Sequence, residues 1–143
     1  MKFSTKAEYG LKAMVNLAKD EGAIKNIKLI AKEESISIKY LERLLNILRK
    51  YDLVESFRGT NGGYRLKKIA KKISVADVVI ALEGPIAPMK CVGKVCRMEH
   101  TCSSKAVWEV LGAQIEKTLS NIKLSDLIHP VKYSPKASRQ SRI

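Results

Sequence analysis

Cys91, Cys96 and Cys102 are the only cysteines in the chain, spaced C-x4-C-x5-C within 12 residues. Thiolates are soft donors that favour zinc, copper(I) or iron–sulfur clusters. Structural zinc usually takes four protein ligands, often from C-x2-C pairs, and gaps of four and five residues are wider than that. An iron–sulfur cluster accepts wider gaps because its ligands sit on different irons. The spacing alone leaves three readings open: a cluster, a zinc ion, or redox-active thiols. A cluster normally needs a fourth ligand. His100 lies inside the loop and carries an imidazole, a known cluster ligand type; its plain alternative is a solvent-exposed loop histidine. Glu8, reaching over from the first helix of a partner subunit, is the other candidate. Its plain alternative is a capping box, Thr5-x-x-Glu8, at the start of that helix. Glu99 is a weaker option.

The elements that must position this loop follow from periodicity. Ala7, Leu11, Met14, Val15 and Ala18 recur at helical spacing, which predicts a helix over Phe3 to Lys19, ended by Asp20-Glu21-Gly22. Ile27, Ile30 and Ala31 mark a short second helix with Asn26 as its N-cap. Ser35-Ile36-Ser37 breaks it. Ser37 caps a third helix with an apolar face of Leu41, Leu44, Leu45 and Leu48. A short helix, a tight polar turn and a longer helix make a helix-turn-helix, whose second helix puts its N-terminal residues on base edges. The groove-facing candidates are Ser37, Lys39, Tyr40, Glu42 and Arg43, which lie off the Leu41/Leu44/Leu45 face. An ordinary helical hairpin with a solvated charged face would share that pattern.

The next segment favours the DNA-binding reading. Leu53 to Phe57 is a β-like run, Asn61-Gly62-Gly63 suits a tight reversal, and Tyr64-Arg65-Leu66 returns. A hairpin directly after a helix-turn-helix is a wing. From Arg58 to Lys72 there are six basic residues, Arg58 and Arg65 among them, and no acid, a density suited to phosphate contacts. Ser74 caps a helix through Val75, Val78, Val79 and Leu82, which Gly84-Pro85 stops. The connection from Ile86 to Cys102 is long for a compact domain and points to a function. Ser103 or Ser104 then caps a long helix, from about Ser103 to Asn121, striped by Val107, Val110, Leu111, Ile115, Leu119 and Ile122. A stripe of that length on so small a chain predicts a partner helix, hence a homodimer. Leu124 to Ile128 is a short last helix.

The charge agrees. The 143 residues carry a formal net charge of +13 and a pI near 9.8, which favours a polyanion, double-stranded DNA first. No apolar run approaches the roughly 20 residues of a membrane span. The polar start MKFSTKAEYG is not a signal peptide. An odd cysteine count argues against a disulfide framework, so the expected location is the cytoplasm. An enzyme is disfavoured: there is no nucleophile–base pairing and no phosphate-cradling glycine loop, and the second histidine, His129, lies near the tail.

Together, the opening Met1 to Gly10, Tyr40-Leu41-Glu42, Arg58 to Leu66, Leu82-Glu83-Gly84-Pro85 and the cysteine trio resemble the winged-helix bacterial regulator family that includes IscR, NsrR, RirA and CymR. The similarity runs from Met1 to about Ile128. It implies a mainly α fold with a small β-hairpin wing, a homodimer, and operator DNA as partner. It implies an iron–sulfur cluster on Cys91, Cys96 and Cys102, of the 2Fe–2S type with 4Fe–4S as the other option. The cluster would control operator affinity in response to iron–sulfur status, iron, redox or nitric oxide. A zinc-stabilised or thiol-redox regulator without a cluster is the alternative. By position, Glu42 and Arg58 match residues that touch DNA in IscR-like members, in the major groove and at the wing; Lys39 stands where those members often have serine. Lys105 is the main departure, because IscR places a histidine ligand there and a protonated lysine does not readily bind iron. Relatives with an acid near position 8 keep Glu8 in consideration. CymR-like members lack the cluster and this cysteine trio. The expected organisation is a winged helix-turn-helix unit over 1–84, the cysteine loop over 85–102, a dimerisation helix with a short C-terminal helix over 103–130, and a disordered basic tail over 131–143.

Overall fold

The computed structural model describes residues 2–95, 97–98 and 100–129; Cys96, Glu99 and the expected tail 131–143 lie outside the described residues. The element order is α1 (Thr5–Lys19), α2 (Ile27–Glu34), α3 (Ile38–Lys50), β1 (Val54–Phe57), β2 (Gly63–Leu66), a 3-10 turn (Ala70–Lys72), α4 (Val75–Glu83), α5 (Lys105–Asn121) and α6 (Leu124–Leu127).

Local signals set most boundaries. The Asn26 side chain accepts from the Lys28 N–H at 2.8 Å and the Ser37 hydroxyl from the Tyr40 N–H at 3.2 Å, each satisfying a donor that a helix start leaves open. Ser74 and Asp77 form a reciprocal capping box on α4. Ser35, with φ 55°, turns α2 into α3. The capping box expected at Thr5 and Glu8 does not form. Thr5 lies inside the first turn, the N-cap is Ser4, and the Ser4 N–H is already taken by the Glu83 carboxylate at the far end of α4.

One core binds these elements. Met14 and Leu17 of α1, Ile30 of α2, the Leu41/Leu44/Leu45/Leu48 face of α3 and Val78 of α4 are fully buried in it. Each buried leucine contributes about 1.5–3 kcal/mol, enough in sum to fix how α3 is presented. At Gly10 a Cβ would overlap the Leu82 side chain, so α1 and α4 cross in close contact there. β1 and β2 pair antiparallel, with Val54 opposite Leu66 and Phe57 opposite Gly63. The result is a winged helix.

The C-terminal half is attached mainly at one end. Val75 N–H donates to Ile122 C=O at 2.8 Å, Leu124 N–H donates to Ile73 C=O at 2.9 Å, and Leu124 is fully buried. Upstream of that anchor, α5 buries only Gly112, where the missing side chain lets Pro88 approach the helix.

Candidate nucleic-acid interface and cysteine loop

The α3 face opposite its leucines carries Lys39, Glu42 and Arg43, all exposed, behind the exposed N-cap Ser37. Tyr40 is placed differently. It is half-buried, its ring meets Tyr9 of α1 edge-on at 6.0 Å between centroids, and its hydroxyl lies 3.5 Å from Thr5 Oγ1. It ties the first turn of α3 to the first turn of α1. Ile38, absent from the expected set, is the first residue of α3 and 44% exposed. Its i, i+3, i+7 spacing to Leu41 and Leu45 reads as core, which is why periodicity passes over it.

Arg58 is exposed at the start of the wing turn. Arg65 is half-buried, with Nε 2.9 Å from Glu55 Oε2 across the hairpin and its guanidinium 4.8 Å above the Phe57 ring. Lys67 Nζ sits 2.8 Å from Asp52 Oδ1. Of the six basic residues, these two therefore brace the wing, while Arg58, Lys68, Lys71 and Lys72 stay exposed. Tyr64 leans on α3: burial pushes its phenol above the usual tyrosine range, the Glu42 charge pushes the same way, and Arg49 pulls back.

The cysteine loop leaves α4 at Gly84, where φ is 85°. Turns centred on Met89 and Met98 follow: Val92 N–H donates to Met89 C=O at 3.1 Å, and Thr101 and Cys102 N–H both donate to Met98 C=O, at 3.0 and 2.8 Å. Cys91 and Cys102 are free thiols, neither fully buried. Cys102 lies just before α5 with Sγ 3.5 Å from Ser104 Oγ. The Ser104 hydroxyl and N–H, joined by the N–H and charge of Lys105, hold this thiol below the ordinary range against slight desolvation. Those are the surroundings that favour thiolate, the form that binds metal. His100 is exposed. Glu8 is exposed 3.8 Å from Lys12 Nζ and rims an apolar groove with Leu11, Val15 and Leu127. Lys105 Nζ lies 3.5 Å from Glu109 Oε1. Among the described residues no three Cys, His, Asp or Glu side chains converge as a metal site; the third thiol, Cys96, lies outside them. In donor chemistry, the free thiols fit an iron–sulfur cluster.

Among the described residues no helix is long and apolar enough to cross a membrane. Residues 3–130 match the family model Rrf2, described as an iron-dependent transcriptional regulator. Protein rrf2 of Nitratidesulfovibrio vulgaris is 34% identical over 95% of this chain and 93% of its own length. The HTH-type transcriptional regulator IscR of Photorhabdus laumondii is 35% identical over 98% and 87%. Among solved structures, T. potens IscR superposes with a TM-score of 0.75 at 35% identity, covering 94% of this chain and 93% of that one. CymR, the global cysteine regulator of B. subtilis, gives 0.73 at 34% identity, covering 90% and 96%. With a winged helix, a basic wing and this similarity along nearly its whole length, the chain belongs to the Rrf2 family of transcriptional regulators.

Proposed function

We propose that this regulator acts as a cytoplasmic homodimer on operator DNA, and that an iron–sulfur cluster held by Cys91, Cys96 and Cys102 sets its affinity. The observation that carries the reading is where the thiol loop attaches. It begins one residue after Glu83, whose carboxylate accepts from the Ser4 N–H at the start of α1, and it ends at the first turn of α5. Tyr9 of α1 in turn meets Tyr40 of α3 edge-on. A constraint on the loop therefore acts on α4, on α1 and on the placement of α3.

When bound, a cluster supplies a centre sensitive to oxygen, nitric oxide and iron supply. The chain's own residues do the rest. The three thiolates hold the ends of α4 and α5 in a fixed relation, and freeing them lets α4 shift against α1. Because half-site spacing is a rigid geometric demand, a small change in the separation of two α3 helices alters affinity steeply. Glu42 and the first turn of α3 read bases, while Arg58 and the wing lysines hold the backbone. The fourth ligand is His100 or Glu8, the latter from the partner subunit. Dimerisation through α5 is supported by Val107, Val110 and Leu111, exposed to 58%, 62% and 42% in the single chain.

A thiol-redox regulator is the second reading, favoured by the free Cys102 thiol beside Ser104, whose hydroxyl and N–H hold its pKa below the ordinary thiol value. Anaerobic purification followed by iron and sulfide quantitation separates the two. Stoichiometric iron and labile sulfide, lost in Cys91→Ala, Cys96→Ala and Cys102→Ala with the fold intact, is the expected result. Protein free of both, with operator affinity responding only to thiol oxidation, would replace the first reading by the second.

A further inference from the structure

We infer that Ile38 is a specificity-determining residue that reads the C5-methyl group of a thymine in the major groove. The inference rests on the reading of α3 as the DNA-contacting helix. A solitary exposed aliphatic side chain is ordinary on a protein surface. What singles out Ile38 is its place. It is the first residue of α3, directly after the exposed N-cap Ser37 and before the exposed Lys39. Glu42 lies one turn further on the same side, at i+4. Recognition helices meet base edges with that first turn.

The side chain has little to do within the subunit. Leu41, Leu44, Leu45 and Leu48 complete the buried face, at 0–1% exposure, while Ile38 remains 44% exposed. Every other exposed residue of the first turn and a half of α3 is polar or charged: Lys39, Glu42 and Arg43. In the major groove the one apolar feature of any base pair is the thymine methyl group, and aliphatic side chains meet it by contact burial. Glu42, an acceptor, suits a cytosine amino group. The pair would read a cytosine and a nearby thymine, and Ile38 would supply the discrimination that a hydrogen-bonding side chain cannot. Being β-branched, its side chain is held in one preferred rotamer on a helix, which suits a contact that depends on position.

The test uses the full-length protein and the duplexes it enriches from a random-sequence pool. Each enriched duplex is remade with deoxyuridine in place of thymidine, which removes only C5-methyl groups. Wild-type protein is expected to bind the uracil duplex about fourfold more weakly for each half-site, the value of one buried methyl-sized group. Ile38→Ala, with an unchanged thermal transition, is expected to bind thymine and uracil duplexes alike. Equal wild-type affinity for both duplexes would overturn the assignment, as would an undiminished thymine preference in Ile38→Ala. If the wild-type protein enriches no duplex, the DNA reading of α3 fails and the assignment falls with it. If it enriches duplexes without methyl dependence, the DNA reading stands and only Ile38 is removed.

Discussion

Lys25 and Tyr64 exchange backbone hydrogen bonds, N–H to C=O in both directions at 2.8 Å. The linker between α1 and α2 thus runs beside β2 as a one-residue third strand, and the wing is hydrogen-bonded to the helix-turn-helix it flanks. Gly63 is what permits this approach, because a Cβ there would overlap the carbonyl of Lys25. Gly63→Ala must push the wing away and break both bonds. The expected cost is about 2–3 kcal/mol, read as a fall of about 5–10 °C in the thermal midpoint followed by circular dichroism. A midpoint within a degree or so of wild type would mean that the linker and wing are not coupled as described.

The same lysine carries a second, side-chain role. Its ammonium lies 2.8 Å from Asp20, 3.0 Å from Glu33 and 2.5 Å from the Asn16 side-chain oxygen, and Asn16 donates to Glu34 at 2.7 Å. Burial disfavours its charge, yet the hydrogen bonds and charges of Asp20 and Glu33 outweigh it and hold Lys25 above the ordinary lysine value of 10.5. A raised folded-state pKa contributes stability that is fully present below the unfolded value and is lost as pH rises through the folded one. The thermal midpoint of the wild type should therefore fall above pH 10.5, where the unfolded chain gives up this proton first. Lys25→Met, which leaves the 2% exposed Asn16 without a donor, should cost about 1–3 kcal/mol at neutral pH and show a flatter alkaline limb. Alkaline limbs of equal slope in the two proteins would refute the pairing.

How much of this was legible in the chain depends on whether the cause is local. Asn26, Ser37 and Ser74 act within three residues of themselves, so each cap could be read directly and each forms. The leucine face of α3 is local in the same sense, but the wing turn is displaced from Asn61-Gly62-Gly63: it closes from Gly59 to Gly62 with the positive φ at Gly59, and Gly63 already belongs to β2. Thr5 and Glu8 were misleading because the helix starts one residue earlier than their spacing implies: Ser4 is the N-cap, and its N–H is held by Glu83, 79 residues away. Tyr40 could be placed on the outer side of α3 by its spacing, but only the packing of α1 reveals that its ring leans on Tyr9. Lys25 carries no signal in the sequence at all, since an isolated lysine in a turn is ordinarily solvated and its three partners come from α1, its C-cap and α2. The cysteine spacing marked the thiols as candidate donors, but could not show the Ser104 hydroxyl that lowers the pKa of Cys102.

α5 offers the sharpest test of assembly. Val107, Val110 and Leu111 stand at i, i+3 and i+4 on one side and lie largely open in the single chain. A second copy of the helix is the partner that would bury them. Val110 is 62% exposed, so Val110→Asp should leave the subunit fold and its far-ultraviolet spectrum unchanged. In a dimer it would bring an unpaired carboxylate into each half of the interface, at about 3 kcal/mol. That corresponds to about a hundredfold rise in the dimer dissociation constant. Sedimentation velocity should then show the wild type as a dimer and Val110→Asp as a monomer at low micromolar concentration, with operator affinity falling in parallel because a monomer engages one half-site at a time. An unchanged dimer mass for Val110→Asp would remove this stripe from the interface, and a monomeric wild type that still binds a two-half-site duplex tightly would remove the homodimer altogether.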